Sequence, residues 1–225
     1  MPLLSRRLCA ALAVVAMIAL SGCAATASAG EDLTAAGAHT RATVVTVGDS
    51  IMAGYHLEPA QAWPALLARQ DGIGVANLAC SGAGFTTPGD CGEDYPGLVA
   101  QAVAASPTLV IIQSSDNDMN AAKTDIDADT AHTVRTLHAA LPEAVIVGLS
   151  TLWNQPTDPP ATIASSSAAL RQAVDAVGGT FVDVGQPLAG QPDLLQADQE
   201  HPTAAGQRAL LTAITRALDE ADVVL

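Results

Sequence analysis

Two short segments at opposite ends of the chain's body carry residues that could do chemistry together. Gly48-Asp49-Ser50 continues through Ile51-Met52-Ala53 to Gly54, and far downstream stands Asp198-Gln199-Glu200-His201-Pro202. A serine hydroxyl is a weak nucleophile until a neighbouring base takes its proton. Ser50 paired with His201 would attack a carbonyl, and Asp198, three residues before His201, can orient the imidazole within one loop. Such an attack develops negative charge on the carbonyl oxygen, which needs donors already in place. Ser50 offers its own backbone N–H, in the favourable field of a helix N-terminus. Gly82 permits close backbone approach and a second N–H. The Asn117 side chain supplies a third, so Ser50, Gly82 and Asn117 make up the expected oxyanion hole.

Each of these residues also has an ordinary reading. Gly, Asp and Ser all favour turns. Gly82 fits any loop, His201 could be a surface residue beside a helix-starting proline, and Asp198 a solvated acid. Gly-x-Ser-x-Gly, the elbow of another hydrolase fold, is absent around Ser50. Asp125, Asp127 and Asp129 have a calcium-loop rhythm, but Thr130 and Thr136 stand where its glycine and glutamate belong. They read instead as the acidic first turn of a helix, with His132 and His138 solvated further along it. His56, just after Gly54 and Tyr55, belongs either to the rim of a cleft or to plain surface. No metal and no cofactor is expected.

Five apolar runs must position these residues. Thr43 to Val47, Gly74 to Ala79, Thr108 to Ile112, Ala144 to Leu149 and Thr180 to Asp183 read as strands. Between them, helices are expected over Trp63 to Gln70, Gly97 to Ala105, Asp125 to Ala140 and Ile163 to Val177, with a last one from Thr203 to Leu218. Thr124 and Asp127 have capping-box spacing at the start of the third of these. Ser81 to Gly92 is a glycine-rich loop and Trp153 to Pro160 a proline-rich one. Strands that are apolar throughout, alternating with helices, imply a parallel sheet covered on both faces: a three-layer α/β/α sandwich. Ligands in such folds sit beyond the carboxyl ends of the strands, where Ser50, Gly82 and Asn117 all follow.

Four blocks in this order, Gly48-Asp49-Ser50, Gly82, Asn117 and Asp198-x-x-His201, resemble the SGNH (GDSL) hydrolases over nearly the whole body of the chain. That resemblance implies a flavodoxin-like sheet, an acyl-enzyme on Ser50, and no cofactor. Some members of the family use histidine with a backbone carbonyl, which leaves the role of Asp198 open. The third block departs from the family's Gly-x-Asn-Asp. It reads Ser115-Asp116-Asn117-Asp118, so Ser115 replaces a glycine and Asp116 sets a carboxylate beside the expected donor. Gly48 to Leu67 looks most like the bacterial exported thioesterase/lysophospholipase branch, which implies an exported serine esterase acting on lipid or small acyl esters or thioesters. A carbohydrate O-acetylesterase is the alternative, ranked second because only six aromatic residues are present to form a sugar platform. Ser115 and Asp116 favour a third reading, a ligand-binding surface lipoprotein without catalysis.

The ends and the charge set the context. Arg6 and Arg7 precede an apolar run from Leu8 to Leu20, too short to span a bilayer comfortably and suited to a signal peptide over residues 1–22. Leu20-Ser21-Gly22-Cys23 resembles the bacterial lipobox, which implies lipidation at Cys23 and anchoring to the outer face of the cell membrane. Cleavage after Ala27-Ser28-Ala29 would instead release the protein. Residues 23–40, rich in small residues and holding His39, read as a flexible tether, with the hydrolase domain over 41–225. The formal charge of −14 becomes about −16 without the two arginines, and the seven remaining basic residues are scattered. That excludes a nucleic-acid partner, which needs a cationic footprint. Cys9 would leave with the signal peptide. Cys80 and Cys91, in an exported chain, are expected to form a disulfide, since neither a C-x-x-C pair nor a nearby histidine suggests zinc.

Overall fold

A computed structural model describes residues 43–225; the expected signal peptide with Cys9, the expected lipidation at Cys23 and the expected tether lie outside the described residues. The described chain alternates strand and helix: β1 (Thr43–Val47), α1 (Ser50–Ala53), α2 (Trp63–Asp71), β2 (Gly74–Asn77), α3 (Tyr95–Ala104), β3 (Leu109–Gln113), α4 (Lys123–Ala140), β4 (Val145–Leu149), α5 (Ala161–Asp175), β5 (Thr180–Val182) and α6 (Ala204–Glu220). The five strands form one parallel sheet in the order β2-β1-β3-β4-β5. The order reverses between β1 and β3, which makes their carboxyl ends the switch point where doubly wound sheets bind ligands.

Successive strand residues point to opposite faces, and both faces are apolar, so the sheet is buried on two sides. Val44, Leu109, Ile111 and Val147 pack with Trp63 and Leu67 of α2 and with Leu210 and Ile214 of α6. Val45, Val110, Ile112 and Ile146 pack with Leu98 of α3, Val134 and Leu137 of α4, and Leu170 and Val174 of α5. The three-layer α/β/α sandwich is therefore present as the apolar runs imply.

The differences from expectation lie at the element ends. β2 stops at Asn77, and α3 begins at Tyr95, where Asp94 accepts the Gly97 N–H and Pro96 sits in the first turn. α5 starts two residues early, at Ala161. The capping box of Thr124 and Asp127 does not form. α4 begins at Lys123 with Ala122 as its cap, so Thr124 is already helical, and Asp127 pairs with Lys123 at 2.6 Å. The carboxylate and ammonium four residues apart meet on one face of the helix.

Candidate active site

The nucleophile's position follows from a helix of only four residues. Asp49 caps α1 by accepting the Ile51 N–H at 3.0 Å, and Gly54, in the left-handed region at φ 75°, ends it. So short a helix leaves its last carbonyls without internal donors. Two side-chain amides supply them: that of the exposed Asn77 donates from Nδ2 to Met52 O at 3.2 Å, and that of the buried Gln207 donates from Nε2 to Ile51 O at 2.7 Å. Gln207 Oε1 also accepts the Trp63 N–H, so α6 grips both α1 and α2. A Cβ at Gly48 would lie 2.5 Å from Met52 Sδ, which explains the glycine at that turn.

His201 Nε2 lies 3.0 Å from Ser50 Oγ, and His201 Nδ1 lies 2.9 Å from Asp198 Oδ2. Asp198 Oδ1 accepts the N–H groups of Glu200 and His201, both at 3.0 Å. Slight burial pushes the Asp198 carboxyl up, but those two N–H groups and the His201 ring outweigh it and hold it below the usual carboxylate range. The loop closes on itself through a bridge between Leu195 and Pro202 and a bond from Gln196 N to His201 O at 2.7 Å. Gln196 Nε2 donates to Tyr55 O, and the Tyr55 ring lies 4.4 Å from that of His201. His56 stacks on Tyr55 but is itself exposed, so it reaches the base only through that ring.

Ser50, Gly82, Asn117 and His201 line one cavity of about 200 Å³, with Asp90 and Glu200 placing carboxylates around it. Gly82 is held at φ 80°, and neither the Ser50 nor the Gly82 N–H donates to a described residue. Both backbone donors of the expected hole are therefore open. Asn117 requires a correction. Its Nδ2 donates to Ala83 O at 3.1 Å and to Ser115 Oγ at 2.9 Å, so both amide hydrogens are committed within the protein. The hydroxyl at the position where the family pattern has a glycine is the cause. Ser115 Oγ also accepts Asn117 N and donates to Asp49 Oδ2 at 2.7 Å, tying the third block to the cap of the nucleophile's helix.

Asp116 does not confront the cavity as an anion. It is 3% exposed, and Oδ2 has no partner among the described residues. Burial first, then the charges of Asp49 and Glu200, push its carboxyl up to about 8, so it keeps its proton at neutral pH. Burial likewise raises Asp49, against the bond from Ser115.

Sequence reasoning gave no role to Asp118, which is wholly buried. Its carboxylate accepts Phe85 N at 2.7 Å, Thr86 N at 3.1 Å, Thr86 Oγ1 at 2.7 Å and Thr87 Oγ1 at 3.0 Å. The Cys80–Cys91 disulfide, present as expected, closes the same glycine-rich loop from its other side. Asp118 closes the third block's Asn-Asp pair, but its role is not legible there, because its partners are about thirty residues away.

The arrangement can attack a carbonyl, hold the resulting oxyanion and return a proton to a leaving group. Known proteins agree with that chemistry. A profile of the GDSL-like lipase/acylhydrolase family matches residues 46–209. A GDSL lipase of Mycobacterium tuberculosis is 33% identical over 168 residues, which is 69% of each chain. The crystal structure of TesA superposes with a TM-score of 0.63 at 25% identity, covering 79% of this chain and 98% of that one. A family two carbohydrate esterase from Clostridium thermocellum, solved with cellohexaose, gives 0.62 at 16% identity over 80% of this chain and 64% of its own, a likeness of fold. With a family profile spanning most of the described chain, this protein belongs to the GDSL-like lipase/acylhydrolase family, hydrolases that act on ester bonds.

Proposed function

We propose that the protein is an exported serine esterase that cleaves acyl esters or thioesters of lipids or small molecules through an acyl-enzyme on Ser50. The observation that carries the reading is the continuous contact from Ser50 Oγ through the His201 ring to Asp198 Oδ2. In the first half-reaction Ser50 Oγ attacks the acyl carbon and its proton passes to His201 Nε2. The N–H groups of Ser50 and Gly82 receive the oxyanion, and Asp198 steadies the imidazolium. Collapse breaks the bond to the alcohol or thiol, which takes the proton from His201. Water then repeats the sequence and releases the acid. A fluorophosphonate probe should label the protein once, and Ser50→Ala should remove the label; labelling that survives the substitution defeats the assignment. Turnover of p-nitrophenyl esters from acetate to palmitate then defines the acyl preference.

A carbohydrate O-acetylesterase is the second reading, favoured by the likeness to the carbohydrate esterase. A clear preference for acetate in that ester series would support it, and no turnover at all would favour a lipoprotein that binds without reacting. Export with a lipid on Cys23 rests on the Leu20-Ser21-Gly22-Cys23 motif. Native protein should partition with membranes, and Cys23→Ser should release it or block processing. Equal amounts of both forms in the culture medium would instead support secretion by cleavage near Ala29.

A further inference from the structure

Next to the catalytic cavity lies a groove of about 410 Å³ that the acyl-transfer steps leave unused. Its position is set by the loop that carries the base. Gln199 lines the groove, while the next two residues, Glu200 and His201, line the cavity. Asn154, after β4, also lines the groove and donates from Nδ2 to Glu200 O at 2.9 Å, so the two spaces share a wall. His201 must deliver a proton to the departing oxygen, so the alcohol part of an ester leaves on the side of His201.

The chemistry of the groove is unusual for so acidic a protein: none of its lining residues is charged. Pro156, Pro192 and Leu195 supply an apolar floor, and the polar groups are four carboxamides, Asn154, Gln155, Gln191 and Gln199. Asn154 is 4% exposed, and its Oδ1 is buried with no hydrogen-bond partner among the described residues. A buried acceptor left unpaired is unfavourable and calls for a donor. Gln191 commits Nε2 to Pro187 O, leaving its Oε1. The side chains of Gln155 and Gln199 bond to no described residue. A carboxamide both donates and accepts, which matches a neutral hydroxyl. A hydrocarbon chain would leave the free carboxamides of Gln155 and Gln199 without partners, and an ionic head group would find no counter-charge.

We infer that this groove holds the alcohol portion of the substrate and that this portion is a neutral polyol, glyceryl or glycosyl. The inference rests on the esterase reading and gives its leaving group a chemical class. Four butyrate esters of the same acyl group separate the possibilities: 1-monobutyrin, methyl 6-O-butyryl-glucoside, butyrylcholine, and vinyl butyrate, whose leaving group is too small to fill the groove. The native enzyme should show a lower KM for a polyol ester than for butyrylcholine or vinyl butyrate, and the better of the two polyol esters identifies the source. Ala189, exposed on the rim of the groove, can be enlarged without disturbing the core. Ala189→Phe should raise KM for that ester about tenfold, as expected for a lost pocket contact, and leave vinyl butyrate unchanged. An equal effect on both, or on neither, overturns the inference. If neither these butyrates nor any p-nitrophenyl ester from acetate to palmitate is hydrolysed, the esterase reading fails by itself, and binding decides the groove. Trp153 precedes Asn154 and is tied to Thr157 O, so its fluorescence reports the site. Saturable quenching of Ser50→Ala protein by monobutyrin, lost in the double variant with Ala189→Phe, supports the inference; no quenching overturns it.

Discussion

The loop that carries Gly82 and the loop that carries His201 are built in opposite ways. The first is cross-linked by Cys80–Cys91 and held at its centre by the wholly buried Asp118, which accepts four hydrogen bonds. The second, residues 195–202, has no cross-link and is held by main-chain bonds, the partly exposed Asp198 carboxylate and the Gln196 and Asn154 amides. It passes through Gln199 in the left-handed region at φ 61°, and it leaves the Asp198 side chain 39% exposed. The difference matches what each loop does in acyl transfer. Oxyanion donors work by being preorganised, so any slack in Gly82 reduces their effect. The base meets two partners in turn, the serine oxygen and the leaving group, and a loop with modest restraint suits that exchange.

Breaking the rigid loop should therefore have the largest consequence. Asp118→Ala leaves Phe85 N and Thr86 N without their acceptor and should lower stability by roughly 3 kcal/mol or more in urea unfolding, with a fall in kcat. A variant as stable and active as the native protein would remove Asp118 from this account. Next, replacing both Cys80 and Cys91 with serine should cost about 2–3 kcal/mol by the chain-entropy argument for a short loop. If Asp118 holds the loop independently, kcat in that variant should fall less than in Asp118→Ala.

The third effect sharpens the comparison at its junction with Ser115. A full oxyanion donor is worth about 10²–10³ in kcat. Because both Asn117 amide hydrogens are engaged, Asn117→Ala should cost about tenfold or less, with KM little changed. A loss of the full donor's size would mean that Asn117 releases Ser115 or Ala83 when substrate binds.

The last comparison concerns Asp116 and is read as a pH dependence, smallest near pH 4 and growing as pH rises. Its folded carboxyl titrates near 8, far above the usual value. The folded state thus holds a proton that the unfolded chain releases near pH 4, so the contribution is full below that pH and is lost as pH rises through about 8. Asp116→Asn keeps the shape without titrating. Its Tm should nearly match the native protein's near pH 4 and exceed it increasingly up to about pH 8. A constant difference in thermal unfolding across that range would show that Asp116 is ionised throughout.

The parts legible in the chain itself are those specified by local rules. Thr43 to Val47 and Thr108 to Ile112 are β-branched or apolar throughout and put apolar side chains on both faces, the pattern of strands covered on two sides, and the helices between them follow from spacing. Ser50 was legible because turn and strand signals put it at the carboxyl edge of such a sheet, and His201 through the Asp198-x-x-His201 block and the order of the four blocks. What decided the rest was contact between residues distant in sequence. Ser115 takes up the Asn117 hydrogen only because it also meets Asp49, sixty-six residues earlier. Gln207 supports the nucleophile's helix across 156 residues, and Asp116 is neutral only because burial and its neighbours make it so. Periodicity and turn chemistry report on a chain's neighbours along itself. Burial, unpaired hydrogen bonds and shifted protons arise when the layers close, so only the tertiary structure could reveal them.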